Sequence, residues 1–213
     1  MDRDMPKDYC SRYASQYLVD THQSAWDRDY RNRGRLWGSA VKNLPDLPAA
    51  SAVLELGCGD GKTLAGMSGD WKIAAVDISR EALHLCRVFA AEAGLILADA
   101  SLLPFQKNSF DAIFAFHVTG HLRAPARCAL AREAARVLRV GGKLFLREFA
   151  ADDMRAGQGE EVESGTFRRG EGMLTHYFTE EEVRRLFCDL EPQSIHTHRW
   201  KMRVKGKDLT RAR

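Results

Sequence analysis

No apolar run in this 213-residue chain approaches the roughly 18 residues that a bilayer-spanning helix requires. The opening stretch, MDRDMPKDYCSRY, lacks the continuous apolar core of a signal peptide. A cytoplasmic protein with no membrane partner is expected. Cysteine is scarce and unpaired in pattern: Cys10, Cys58, Cys86, Cys128 and Cys188 are odd in number and form no C-x-x-C pair. Neither a disulfide framework nor a zinc ribbon is indicated, and no metal site is expected. No repeat of about 20 to 50 residues recurs, which argues against solenoids and propellers. Neither sign of charge dominates, and a formal net charge of +3 does not by itself demand a nucleic-acid partner.

What is present reads as one soluble domain, with 45% hydrophobic and 29% charged residues. From Val53 onward, strand-like apolar runs alternate with amphipathic helical ones, the pattern of a mostly parallel sheet covered by helices. Strands are predicted at 52–56, 71–77, 95–98, 112–117 and 143–148. Ser79 is suited to cap a helix reaching about Ala93, and a second helix is predicted from Ala124 to Leu138, stopped near Gly141 and Gly142. Thr179 with Glu182 forms a capping box for a third. Residues 151–174 show no clear period. Near the end, Trp200, Met202 and Val204 alternate with Lys201, Arg203 and Lys205, and Gly206 with Lys207 can turn the chain back, predicting an antiparallel hairpin.

The most informative stretch is Val53-Leu-Glu-Leu-Gly-Cys-Gly-Asp-Gly-Lys62, a strand entering a glycine-rich turn. Glycines there admit positive φ and let a ligand approach the main chain. A dinucleotide site would want G-x-G-x-x-G, but Lys62 stands at the sixth position. A P-loop would want its first glycine where Leu56 stands, although Gly61-Lys62-Thr63 matches its end. The strand 112–117 also lacks a terminal aspartate for magnesium.

The remaining pattern, Glu55-x-Gly57-x-Gly59-x-Gly61, resembles the first motif of the class I S-adenosylmethionine (SAM) dependent methyltransferase family. The resemblance continues through Asp77, twenty residues after Gly57, then Leu97-Ala-Asp-Ala100 with Pro104-Phe105, Phe110 to Phe116, and Leu138 to Leu144. It implies an α/β fold: a three-layer Rossmann-like sandwich with a mostly parallel seven-stranded sheet and a C-terminal antiparallel hairpin. It also implies SAM as cofactor and S-adenosylhomocysteine as product. Carried over residue by residue, the loop of Glu55, Gly57, Cys58, Gly59 and Gly61 would wrap the methionine part, and Asp77 would bind the ribose. Asp99 would lie near the adenine amino group, Ile78 and Ala100 against the adenine faces, and Phe116 and His117 along the methionine arm. The expected organisation is one domain: a lid or helical segment at 1–50, a SAM-binding core at 51–150, a substrate-side insert at 151–178, and a closing helix and hairpin at 179–213.

Methyl transfer from a sulfonium is an in-line displacement, in which alignment and exclusion of water supply most of the catalysis. The acceptor is expected beyond the fourth strand, near Phe116-His-Val-Thr-Gly-His121. That segment lacks the N-P-P-Y pattern of amino-group methylating enzymes. His117 is the candidate general base, since an ordinary histidine titrates near working pH; packing beside SAM is the competing reading. Trp26, Tyr30 and Trp37 resemble a lid, with Tyr30 a candidate ligand of the SAM carboxylate. Trp37, His121, Arg147, His176 and Tyr177 are substrate-side candidates, against the reading that they are solvated or ion-paired. His196 and His198 alternate on a strand without an evident third metal ligand.

Arg31, Arg33 and Arg35, Arg168 and Arg169, and Lys201, Arg203 and Lys205 could together form a basic rim. If so, RNA or an acidic protein becomes the better acceptor; if they scatter, a small molecule does. The last group could equally guard a sheet edge. Some relatives in the family work with a small zinc-ribbon activator subunit, which the chain's composition permits. The alternative to an enzyme is a non-catalytic SAM-binding or P-loop nucleotide-binding module.

Overall fold

A computed structural model describes residues 22–34, 40–88, 90, 92–169 and 172–213. The described residues fall into two compact units, one of 22–116 with 136–146 and one of 117–135 with 147–213. Trp37 and Arg35 lie outside the described residues.

The first unit opens with helix α1 (His22–Arg33) and carries strands β1 (Ala52–Leu56), β2 (Lys72–Asp77), β3 (Gly94–Leu97), β4 (Phe110–Phe116) and most of β5 (Leu138–Arg147), with helix α2 (Arg80–Cys86) between β2 and β3. The five strands form one parallel sheet in the order β3-β2-β1-β4-β5. β1 pairs in parallel with β2 on one side and β4 on the other, so the chain reverses its direction of build-up beside β1. Such a switch point leaves a crevice at the carboxyl ends of the strands. β1 is buried along almost its whole length, with Val53, Leu54 and Leu56 fully so, as a central parallel strand must be. Phe114 anchors the core by stacking on Phe145 at 5.0 Å and Trp71 at 6.3 Å.

Ser79 caps α2 as predicted, its Oγ accepting from Ala82 N at 3.1 Å while donating to Asp27 of α1 at 2.6 Å. Arg31 of α1 pairs with Glu81 at 2.7 Å. The helix is shorter than its periodicity suggested: it ends at Cys86, which is fully buried, whereas Val88 is 74% exposed. Beyond the helix Ala90 still packs on the cluster of Cys58, Leu64, Ala75 and Cys86, but from outside the helical period.

The second unit holds most of helix α3 (Ala124–Val137), a three-stranded antiparallel sheet of β6 (Glu160–Glu163), β7 (Thr166–Arg169) and β8 (Met173–His176), helix α4 (Glu180–Leu186), and a hairpin of β9 (Arg199–Val204) and β10 (Lys207–Ala212). Thr179 Oγ accepts from Glu182 N at 3.1 Å, forming the anticipated cap of α4. The hairpin turns on Lys205 (φ 46°) and Gly206 (φ 79°); two consecutive positive φ values match the twist of the flanking strands.

Two expectations are corrected. The parallel sheet has five strands, not seven: β9 and β10 pair only with each other in a separate two-stranded sheet. The stretch expected to be irregular, 151–174, contains the β6-β7-β8 sheet, and α3 passes directly into β5, within which Gly141 (φ 78°) lies.

Candidate functional site

In the first unit, β1 runs into the glycine loop at the switch point. Gly57 N and Cys58 N donate to Val76 O at 2.9 and 3.1 Å, which ties the loop to β2. Gly57, Gly59 and Gly61 all have positive φ, at 67°, 54° and 83°, a conformation that costs an L-residue roughly 1–2 kcal/mol. Space adds a second constraint. A Cβ on Gly59 would stand 2.7 Å from the Tyr30 hydroxyl, and one on Gly61 would stand 3.0 Å from Cys86 Sγ.

Asp77, at the end of β2 and buried, organises this loop. Its Oδ2 accepts from Gly59 N and its Oδ1 from Ser79 N, both at 2.8 Å. Burial raises its pKa, opposed by those backbone donors. A carboxylate has about four lone-pair sites, so some accepting capacity remains beyond the backbone donors of Gly59, Ser79 and Ile78. Glu55 is sealed within β1 at 2% exposed; burial holds its carboxyl well above the ordinary range despite a hydrogen bond with Thr63. Its Oε2 is buried without a hydrogen-bond partner among the described residues. The Cys58 thiol, hydrogen-bonded to Cys86 and buried, is likewise held above its ordinary pKa.

Tyr30 of α1 lies against this loop, with its hydroxyl over Gly59. Its ring is 5.8 Å from Trp26 and beneath the Arg33 guanidinium at 5.1 Å, and burial raises the phenol pKa. Further along the sheet, Ile78 is half-buried and Ala100 buried. Asp99 is exposed, its Oδ1 accepting from Ser101 N at 2.8 Å and Ser101 Oγ at 2.7 Å. Phe116 closes β4 and meets Phe114 edge-on at 5.6 Å. The residues predicted around a cofactor from Tyr30 to Phe116 therefore belong to one unit, most of them at the carboxyl ends of adjacent strands.

In the second unit, His117 has φ 59°, uncommon for a residue with a side chain, and its N–H donates to Arg147 O at 2.8 Å. Its ring stacks on Phe149 at 4.4 Å, and Nδ1 is buried without a hydrogen-bond partner among the described residues. Burial, then the positive charges of His121, Arg147, Arg213 and Arg155, push its pKa down to about 3. The expectation of an ordinary histidine titrating near neutrality is corrected: His117 is neutral throughout the physiological range. It keeps a lone pair for accepting a proton, but it is a weaker base than supposed.

His121 Nδ1 lies 2.6 Å from Leu174 O. A carbonyl only accepts, so Nδ1 carries a proton. His176 is buried, with Nδ1 at 2.7 Å from Thr166 Oγ1 and Nε2 at 2.8 Å from Glu182; it braces β7, β8 and α4 internally. Tyr177 is buried too, its hydroxyl accepting from Arg169 at 3.3 Å. Arg147 is half-buried, and burial followed by Arg213 lowers its pKa. Glu148 is buried beside it in sequence, accepting from Thr119 N at 2.8 Å; burial lifts its carboxyl to about 8.

Several participants escaped the sequence reading. Asp27 caps α2 from another helix, and Phe149 gathers His117 and, at 3.9 Å, the Arg155 guanidinium. Asp27 stands in the Trp26 to Tyr30 lid stretch, but its capping of a distant helix has no local signal, and Phe149 sits in no recognisable motif. Among the described residues no group of three or more histidine, cysteine, aspartate or glutamate side chains is arranged to hold a metal, and no helix is long and apolar enough to cross a membrane.

Comparison with known proteins agrees with this geometry. Residues 54–146 match the methyltransferase domain family. The chain is 31% identical over 183 residues to the tRNA N(3)-methylcytidine methyltransferase Mettl2 of Drosophila melanogaster, covering 74% of this chain and 55% of that protein. It spans about half the length, or less, of the curated relatives it matches. A SAM-dependent methyltransferase of Methanosarcina mazei superposes with a TM-score of 0.63 at 25% identity, covering 78% of this chain and 91% of that one. A methyltransferase of Haloferax volcanii, solved in complex with its Trm112 activator, gives a TM-score of 0.57 at 20% identity, over 81% of this chain and 76% of that chain. The fold and the loop define a Rossmann-like methyltransferase domain. Residues 54–146 form a methyltransferase domain of the class I SAM-dependent family, whose cofactor is SAM.

Proposed function

We propose that this protein transfers a methyl group from SAM to an acceptor, with S-adenosylhomocysteine as the other product. The observation that carries the reading is the Asp77 carboxylate fastened to Gly59 N at 2.8 Å within a loop of three positive-φ glycines. An acidic group with accepting capacity to spare suits two ribose hydroxyls, and a loop free of Cβ atoms lets a ligand lie against the main chain. The fit is good, so Glu55, Gly57, Cys58, Gly59, Gly61 and Asp77 form or support the cradle. Ile78, Ala100 and Asp99 take the adenine end, and Phe116, His117 and Tyr30 the methionine end. Bound SAM supplies the electrophilic methyl group. The chain's own work is to orient the acceptor and keep water away, with neutral His117 accepting the acceptor's proton if the acceptor loses one.

In this reading 1–50 is a lid, 51–150 the cofactor core, and 151–178 and 179–213 the acceptor side, in one cytoplasmic methyltransferase domain. Trp37, His121, Arg147, His176 and Tyr177 are acceptor-side residues, His176 and Tyr177 by bracing rather than touching. RNA is the favoured acceptor class over protein or a small molecule, because relatives such as Mettl2 are tRNA methyltransferases and the carboxyl end of this chain is strongly basic. A zinc-ribbon activator is a reasonable partner, since the Haloferax volcanii neighbour was solved with Trm112. The test is transfer of labelled methyl groups into a cell extract, followed by separate nuclease, protease and small-molecule fractionation. Label that becomes nuclease-sensitive supports the RNA reading; no transfer with or without an activator refutes the enzyme.

A further inference from the structure

Charge is unevenly placed in this chain. Arg199 to Arg213 contain seven lysines and arginines against one aspartate, an excess of six within a chain whose formal net charge is +3. These residues are the β9–β10 hairpin, which pairs with no other sheet among the described residues. Guarding an edge of the parallel sheet is therefore not what its charges do. Three cations are neutralised: Arg199 by Asp152, Arg211 by Asp153 at 2.8 Å, and Arg203 by Asp208 at 3.5 Å. Lys201, Lys205, Lys207 and Arg213 form no ion pair among the described residues, and all four are exposed.

The two faces of the hairpin differ. Arg199, Lys201 and Arg203 are exposed, while Trp200, Met202 and Val204 are half-buried. Lys201 and Arg203 lie two residues apart on one face, about 6.6 Å along the extended strand, and Lys205 follows in the turn at φ 46°. On the other face Trp200 stands opposite Arg211 in register. Its ring has the Arg211 and Arg213 guanidiniums at 5.4 and 5.3 Å and stacks with His198 at 5.5 Å. The indole is thus already covered by two guanidiniums and a histidine ring, and what the hairpin offers a polyanion is its exposed, unpaired lysines.

We propose that the β9–β10 hairpin is an RNA-contacting surface, in which the unpaired cations Lys201, Lys205 and Lys207 neutralise phosphates of a single strand. This rests on the methyltransferase reading only in assigning the strand to an acceptor; RNA binding itself is measured without SAM. The experiment titrates the full chain with fluorescein-labelled oligouridylate across a range of salt concentrations, reading polarisation. The K201Q/K205Q/K207Q variant should bind more weakly, and its slope of log affinity against log salt should become shallower by about 2, at roughly 0.7 for each phosphate no longer neutralised. Arg203→Gln should leave the slope nearly unchanged, because Asp208 already neutralises that guanidinium. Both variants should bind S-adenosylhomocysteine as the parent does, which shows that they are folded. Absence of RNA binding by the parent, or an unchanged slope in the triple variant, overturns the proposal. So does displacement of the RNA by phosphatidylserine vesicles at matched charge, which would assign the surface to a membrane. If S-adenosylhomocysteine fails to bind while the RNA results hold, the cofactor reading fails and the hairpin proposal stands.

Discussion

Replacing Gly59 with alanine tests the glycine loop at the position where backbone and space make separable demands. At φ 54°, any residue with a Cβ incurs roughly 1–2 kcal/mol of strain. The new methyl would also stand 2.7 Å from the Tyr30 hydroxyl but 3.7 Å from its Cζ. The second distance is an ordinary contact, so the steric conflict belongs to one oxygen atom. Overpacking of this kind costs about 1–3 kcal/mol. Gly59→Ala should therefore lose roughly 2–5 kcal/mol in total, and Gly59→Ala in a Tyr30→Phe background only the strain part. Urea denaturation of the four proteins gives the coupling energy, expected at about 1–3 kcal/mol in favour of the double variant. Additive losses would refute the reasoning, since they would mean that Tyr30 does not lie on Gly59 in solution.

Asp77→Ala should weaken SAM binding by on the order of 1.5–3 kcal/mol, and it should also lower the melting temperature, because Gly59 N and Ser79 N lose their acceptor; calorimetry and thermal unfolding report the two losses separately. His117→Asn should lower single-turnover methylation by about 100- to 10,000-fold if the ring is the base, with SAM affinity nearly intact. Because burial and neighbouring cations hold His117 at about 3, the parental rate should show no histidine step between about pH 5 and 8, where an ordinary histidine titrates; a step near 6.5 that vanishes in the variant would contradict the buried, neutral ring. Glu148, at about 8 in the folded protein and about 4.3 when unfolded, binds a proton in the native state that the unfolded chain has released. Stability from this group is thus full below about pH 4.3 and is lost as pH rises through 8, by up to about 1.4 kcal/mol per unit. Glu148→Gln should abolish that fall, so urea unfolding curves that remain parallel across the range would sink the assignment.

The parts legible in the sequence were those where local chemistry leaves few choices. The turn after β1 needs positive φ at Gly57, Gly59 and Gly61, so the glycines mark it, and the distance from Gly57 to Asp77 is set by one crossover between parallel strands. Thr179 and the Lys205-Gly206 turn were legible for the same reason. Contacts made at a distance were not. Glu160 to His176 form three strands whose burial depends on partners such as Thr166 with His176 at 2.7 Å, and no alternation announces them. The hairpin was visible, but its separation from the parallel sheet was not, because self-pairing and pairing to an edge use the same residues. His117 was singled out by position, whereas its depressed pKa comes from burial and then from His121, Arg147, Arg213 and Arg155, the arginines lying well beyond it in sequence.

The central claim, that the Gly57–Gly61 loop with Asp77 holds SAM, is tested most directly by calorimetry of the full chain with SAM, S-adenosylhomocysteine, ATP, GTP and NAD. The account predicts that the first two bind far more tightly than the other three and that Asp77→Ala weakens both. Magnesium-dependent binding of ATP or GTP without a SAM signal would contradict it.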